Sequence, residues 1–290
     1  MSRFVGVAVI LLLLCGVVCA QEKQVEKEPE TAGEYLNRGL ARAKKGELDA
    51  AIADYDKSIL LNPSNAWAYN DRGAAKGRKG DLNGALADFN LAISIDPHNP
   101  AFYYGRAITF GRKGDDERAL ADYGTAISLK PDDFASYNGR AILRAKRGDH
   151  AGAIADFDKI LAANPNAAEI YSNRGISRKA LGDYDGAIKD YTRSIELKPD
   201  YAYAYNNRGN TYGKIGDNDA AIADFDKAIS LVPNFAAAYA NRGFAELDKG
   251  LDEAAQRDFS KALELSASLK SLIETESNKI MQARKARQTP

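Results

Sequence analysis

The 290-residue chain sets 40 Lys and Arg against 40 Asp and Glu, and 45% of its residues are hydrophobic. That neutrality excludes the overall basic footprint a nucleic-acid binder carries, though not a local patch. Both cysteines, Cys15 and Cys19, fall in residues 1–20, so the remainder of the chain has no disulfide, no thiol nucleophile and no thiolate metal ligand.

At the N-terminus, Arg3 precedes an apolar run from Phe4 to Leu14, and Val18-Cys19-Ala20 offers a small-residue cleavage site before Gln21. Residues 1–20 are therefore expected to be a secretory signal peptide. Its removal takes away Arg3 and leaves 39 basic against 40 acidic residues. A retained membrane anchor is the alternative, but the apolar stretch is short of the ~20 residues a span needs. Lipidation would require a small residue before the cysteine, whereas Leu14 precedes Cys15 and Val18 precedes Cys19. Residues 21–31 (QEKQVEKEPET) are charged, nearly free of apolar side chains and carry Pro29, which reads as a flexible linker.

From residue 32 the chain repeats itself. Seven related units begin at 32, 66, 100, 134, 168, 202 and 236 and cover 32–267 with no insertion or deletion. A fixed period of 34 residues marks a solenoid and not a compact globule. Within the unit at 202, Tyr203 to Lys214 lacks proline and Gly216-Asp217 stops it, since glycine can close a helix and aspartate can open the next. Ala221, Ile222, Phe225, Ala228 and Ile229 then form one helical stripe, and Pro233 ends it. Each unit is a helical hairpin. The mid-unit glycine recurs as Gly46, Gly80, Gly114, Gly148, Gly182, Gly216 and Gly250. Small residues for a close helix crossing recur as Gly39, Gly73, Ala107, Ala141, Gly175, Gly209 and Gly243, and a ring as Tyr55, Phe89, Tyr123, Phe157, Tyr191, Phe225 and Phe259.

Tyr69, Gly73, Gly80, Ala85, Phe89, Ala92 and Pro97 of the second unit carry a pattern that resembles the tetratricopeptide repeat. The resemblance implies an all-α, right-handed superhelical solenoid of seven hairpins, closed by a capping helix and basic tail over 268–290. In that tail Leu265, Leu269, Leu272, Glu276 and Ile280 are expected to form the packing face, because they fall three or four apart. One departure is plain. Where the family carries an aromatic in the middle of the first helix, this chain has Arg42, Lys76, Phe110, Arg144, Arg178, Tyr212 and Glu246. A groove less apolar than in better-known relatives would follow.

Two sets of residues stand out along the repeats. An arginine precedes every crossing residue (Arg38, Arg72, Arg106, Arg140, Arg174, Arg208, Arg242) and an aspartate precedes every ring (Asp54, Asp88, Asp122, Asp156, Asp190, Asp224, Asp258). Such a set could bind anions, but the one-to-one count favours a ladder of bidentate Arg–carboxylate pairs across the helix crossings. The second set follows from the resemblance, which places an asparagine two residues before the crossing residue as a grip on the backbone of an extended peptide. Asn37, Asn173, Asn207 and Asn241 stand there, and Asp71, Gly105 and Gly139 interrupt the series. An amide suits the task because it donates and accepts at once. Asn206 and Asn210 lie beside them, with Trp67, Tyr104, Tyr203 and Phe244 as candidate anchors and a basic row of Lys44, Arg78, Arg112, Lys146 and Lys214.

No catalytic constellation is legible, and no cofactor or metal is expected. His98 and His150 each fall in or beside a turn, and acidic turns such as Asp183-Tyr184-Asp185-Gly186 lack the further ligands of a calcium loop. The expected function is that of a non-catalytic scaffold binding a protein or extended peptide, exported and, by the same resemblance, periplasmic or otherwise at the cell envelope. The alternative is a regulatory or substrate-recruiting subunit of an envelope enzyme. An enzyme in its own right is the outside reading.

Overall fold

The computed structural model describes residues 30–288; the proposed signal peptide and residues 21–29 of the linker lie outside the described residues. Seven hairpins follow one another without interruption: α1 (Ala32–Lys45) with α2 (Leu48–Leu61), α3 (Ala66–Lys79) with α4 (Leu82–Ile95), and α5 (Pro100–Lys113) with α6 (Asp116–Leu129). They continue as α7 (Phe134–Lys146) with α8 (His150–Ala163), α9 (Ala168–Ala180) with α10 (Tyr184–Leu197), α11 (Ala202–Ile215) with α12 (Asn218–Leu231), and α13 (Ala236–Lys249) with α14 (Asp252–Leu265). A short 3-10 turn, Ala267–Leu269, leads into α15 (Lys270–Gln288). Among the described residues no helix is long and apolar enough to cross a membrane.

Each hairpin turn is set by local chemistry. The mid-unit glycines adopt φ between +82° and +94°, the left-handed conformation that lets the chain close the last turn of the first helix. The following aspartate starts the second helix. Asp81, Asp115, Asp149, Asp183 and Asp217 accept hydrogen bonds from the backbone N–H groups of Gly84, Arg118, Gly152, Gly186 and Ala220 at 2.8–3.1 Å. The acidic turns are therefore helix caps. A capping box between Thr31 and Glu34 opens the whole array.

The rings of the second helices are buried at the crossings, from Tyr55 at 1% exposure to Phe259 at 6%. In the first unit the ring lies so close that a Cβ on Gly39 would sit 2.6 Å from Tyr55 Cε1. Glycine there is a requirement of packing.

First helices of neighbouring units touch one another at every junction, from α1·α3 to α11·α13, while second helices pack chiefly on the first helices of their own and the following unit. The first helices thus form the closely spaced inner wall of the solenoid and the second helices its outer wall. No unit buries its apolar stripe alone; each does so against its neighbours.

The C-terminal cap corrects one expectation. Ile273 is the buried side chain of α15, joined by the half-buried Leu269 and Ile280 against Ala240, Leu247, Phe259 and Ala262. Leu272 faces outward at 49% exposure. The packing face therefore runs Leu269–Ile273–Ile280, spaced four and seven apart. Arg284 anchors the far end of α15 by donating from Nη1 to the carbonyl of Leu247 at 2.9 Å.

Candidate functional site

Every first helix carries a tyrosine one turn before its arginine: Tyr35, Tyr69, Tyr103, Tyr137, Tyr171, Tyr205 and Tyr239. The guanidinium of each arginine lies over that ring, 5.4–5.8 Å from its centroid. Its Nε and Nη2 donate to both oxygens of the aspartate on the second helix at 2.6–3.1 Å in all seven units. The aspartates are buried. For Arg72, burial alone would lower the pKa, but hydrogen bonds to Asp88 and Asp56 hold the guanidinium raised and charged.

The third guanidinium nitrogen reaches the preceding unit. Nη1 of Arg72 donates to Asp56 at 2.6 Å, that of Arg106 to Asn90 at 2.7 Å, and that of Arg208 to Thr192 at 2.9 Å. Arg174 bonds Asp158 and Arg242 bonds Asp226 in the same way. At the fourth unit the corresponding neighbour of Arg140 is Gly124, which has no side chain to offer.

The mid-helix residues expected to make the groove polar turn instead toward the crossing. Arg42, Lys76, Arg144 and Arg178 give Asp54, Asp88, Asp156 and Asp190 a second cation at 2.8–3.0 Å. In the third and sixth units Phe110 and Tyr212 lie beside the ladder arginine. The seventh unit is the exception, because Glu246 occupies the place of a cation beside Asp258. Burial, then the charge of Asp258, pushes its carboxyl above the usual range, and one of its oxygens is buried without a hydrogen bond.

With those side chains turned inward, the solvent-facing stripe of the inner wall consists of residues spaced i, i+4, i+7 and i+11 along each first helix. Leu40, Ile108, Ile142 and Ile176 stand exposed on it at 36–49%. The wall is more apolar than the departure from the family aromatic led one to expect. Trp67 and Tyr203 are the exposed aromatics, at 47% and 60%; Trp67 meets Phe102 edge-on at 5.1 Å and Tyr203 leans on Phe235 at 5.0 Å. Tyr104 and Phe244 are half-buried against the rings of Tyr123 and Phe259.

The asparagines divide. Asn37 is exposed, and Asn173, Asn207 and Asn241 are half-buried. Asn206 is buried and accepts a 3.0 Å hydrogen bond from Nδ2 of Asn241, so it locks α11 to α13 and is withdrawn from the open face. Asn210 accepts from Lys179 Nζ at 3.1 Å. The interruptions in the series also have a physical reason. A Cβ at Gly105 would lie 2.5 Å from Phe89 Cε1, and one at Gly139 would lie 2.6 Å from Tyr123 Cζ. In the second and third units the ring leans forward onto the next unit, and only glycine leaves it room. Of the basic row, Arg78 and Arg112 donate to the carbonyls of Ala43 and Gly77, capping the preceding first helix. Lys146 faces Asp116 at 3.4 Å.

The histidines take no part. His98 is exposed in the turn after α4, and His150 is the first residue of α8. Among the described residues no group of His, Cys, Asp and Glu could hold a metal ion.

Comparison with known proteins followed from this geometry. A family profile described as TPR repeat matches residues 39–80, 78–114 and 177–216, and profiles described as Tetratricopeptide repeat match 104–168 and 202–235. A tetratricopeptide repeat protein from Parabacteroides merdae is similar at 26% identity, over 86% of this chain and 98% of that one, with a TM-score of 0.65. MamA is similar at 28% identity, over 57% of this chain and 96% of its own, with a TM-score of 0.52. YrrB, described as a TPR protein with an unusual peptide-binding site, shares the fold at 22% identity, over 63% of this chain and 95% of its own, with a TM-score of 0.56. No curated protein matches the chain.

Two outcomes test the ladder. Arg174→Ala should cost roughly 1–3 kcal/mol, because it strands Asp190 with fewer donors, and should cost more than Arg38→Ala, which breaks no junction to a preceding unit. Chemical denaturation of the two variants decides it; equal losses would refute the inter-unit contribution. Glu246 gives a pH dependence of known sign. Its folded pKa is raised, so the folded state holds the proton more tightly. Its destabilisation is therefore present in full above the folded pKa and disappears as pH falls through that value toward the unfolded one. Glu246→Gln should raise the melting temperature at pH 7 and leave a smaller difference from wild type at pH 4.5. A constant difference would contradict the assignment.

Proposed function

Because the chain belongs to the tetratricopeptide repeat family, whose arrays serve as protein-interaction scaffolds, we propose that it binds an extended peptide along its inner wall without catalysing a reaction on it. The observation that carries this reading is the inner wall itself. Side chains at the crossings are consumed by the Tyr–Arg–Asp ladder, while the outward stripe presents aliphatic residues, Trp67, Tyr203 and the half-buried amides Asn173 and Asn207. Apolar stripe and amides together suit a strand of peptide, whose side chains need apolar contact and whose backbone needs donors and acceptors. YrrB, a protein of this fold, carries a peptide-binding site in its own description. Tetratricopeptide arrays bind without chemistry of their own, and the residues that could have carried any are accounted for here as caps, ladder partners and turn residues.

We further propose that the protein is exported and works at the cell envelope. Support comes from the apolar run Phe4–Leu14 and the small-residue site ending at Ala20.

Replacing Asn173 and Asn207 together by alanine should weaken peptide binding about thirtyfold, at ~1 kcal/mol for each hydrogen bond exchanged for water, and leave the melting curve unchanged. In-cell photocrosslinking from position 67 or 203 supplies the partner, and crosslinks arising only from outer-wall positions would defeat the groove reading. Export is checked separately by N-terminal sequencing of the protein purified from the envelope fraction. It should begin at Gln21; an intact Met1 in the membrane fraction would overturn cleavage.

A further inference from the structure

Internal repetition provides a control for every position in this chain, and two departures from it coincide in space. The residue four after the crossing residue is small or aliphatic in six units, as Ala43, Gly77, Gly111, Ala145, Gly213 and Leu247, but it is Lys179 in the fifth. The residue just after the crossing residue is apolar in six units, and it is Asn210 in the sixth. Lys179 and Asn210 are bonded to each other across α9 and α11, Nζ donating to Oδ1 at 3.1 Å. Lys214 lies one turn further along α11 on the same face as Asn210.

Lys179 is half-buried, yet neither it nor Lys214 has a carboxylate partner among the described residues. Burial, then the charge of Lys214, holds the Lys179 ammonium below its usual range. This is unlike the rest of the molecule, where half-buried cations are neutralised: Arg42, Lys76, Arg144 and Arg178 each meet an aspartate. Since Asn210 Oδ1 is already taken by Lys179, its free group is the Nδ2 donor. The cluster therefore presents two ammonium groups and an amide N–H₂, all donors, on the inner wall.

We propose that Lys179, Lys214 and Asn210 form a subsite for a carboxylate of the bound peptide, so that the partner is an acidic extended segment. The proposal rests on the groove reading and adds a chemical preference to it. A carboxylate placed there would accept from all three groups and relieve the repulsion between the two ammoniums, and charge-assisted bonds of this kind are stronger than neutral ones. The aliphatic stripe on the neighbouring units would take the apolar side chains of the same segment.

The test uses the full chain and fluorescein-labelled peptides of about 16 residues, which span ~50 Å when extended. One peptide carries glutamate at every fourth position among serine, alanine and leucine; a second replaces each glutamate by glutamine; both are made with a free and an amidated C-terminus. Anisotropy titration should show the glutamate peptide binding about tenfold more tightly than the glutamine peptide, a difference of ~1.4 kcal/mol. Lys179→Met and Lys214→Met should each abolish that preference, whereas Lys227→Met, at an exposed lysine of α12, should keep it. A preference tied to amidation alone, and lost in the same two variants, assigns the carboxylate to the peptide terminus and still supports the subsite. Equal binding of the glutamate and glutamine peptides overturns the subsite. If both are also weakened by Asn207→Ala, the groove reading survives; if neither binds wild-type protein, the groove reading falls with it. Stabilisation by inorganic phosphate without any peptide preference likewise overturns the proposal.

Discussion

One guanidinium per unit ties three parts of the array together. It lies over a tyrosine of its own helix, chelates a buried aspartate of the helix opposite and reaches back to the unit before. A buried carboxylate without such partners would be strongly destabilising, and its desolvation is tolerable only because the geometry is bidentate and the remaining donor is also used. The ladder thus joins the stability of each hairpin to that of its neighbour through a single side chain. Arginine is required for this; lysine, with a compact charge and no planar fork, could not serve three directions at once.

The hairpins were legible because glycine, aspartate and proline punctuate them at fixed places and each acts locally. The Arg–Asp pairing was legible from its strict count. The tyrosine beneath each arginine was equally visible, as an invariant Tyr three residues earlier, but its role depends on a stacking that no spacing rule for helix faces calls out. Other points lay beyond sequence reasoning for a definite reason. Whether Arg42 or Lys76 faces a groove or a crossing depends on the rotation of the first helix against its partner. Gly105 and Gly139 looked like gaps in a series of amides, but they answer to rings in the preceding unit, a contact across 16 residues of chain. In α15 a path three or four apart could be threaded through Leu272 or Ile273, and only docking onto α13 selects the isoleucine.

The two faces of the first helix divide the work. The crossing face is polar and fully committed, an unusual choice for a core, while the open face is apolar and uncommitted. This inversion lets the scaffold hold its shape by directional bonds and spend its exposed aliphatic surface on recognition. Tyr104 and Phe244, drawn partly into the packing, show that the boundary is not sharp in every unit.

The ladder bonds within a unit always join residues 16 apart, and those to the preceding unit span the same 16 in the other direction. Every contact of the solenoid is therefore preserved when a block of 34 residues is duplicated or excised, and none is preserved when a block of another length is. Arrays of this kind change by whole units through recombination, and point insertions within a helix are purged. The chain from 32 to 267, with seven units and no odd residue between them, carries the arithmetic of that history.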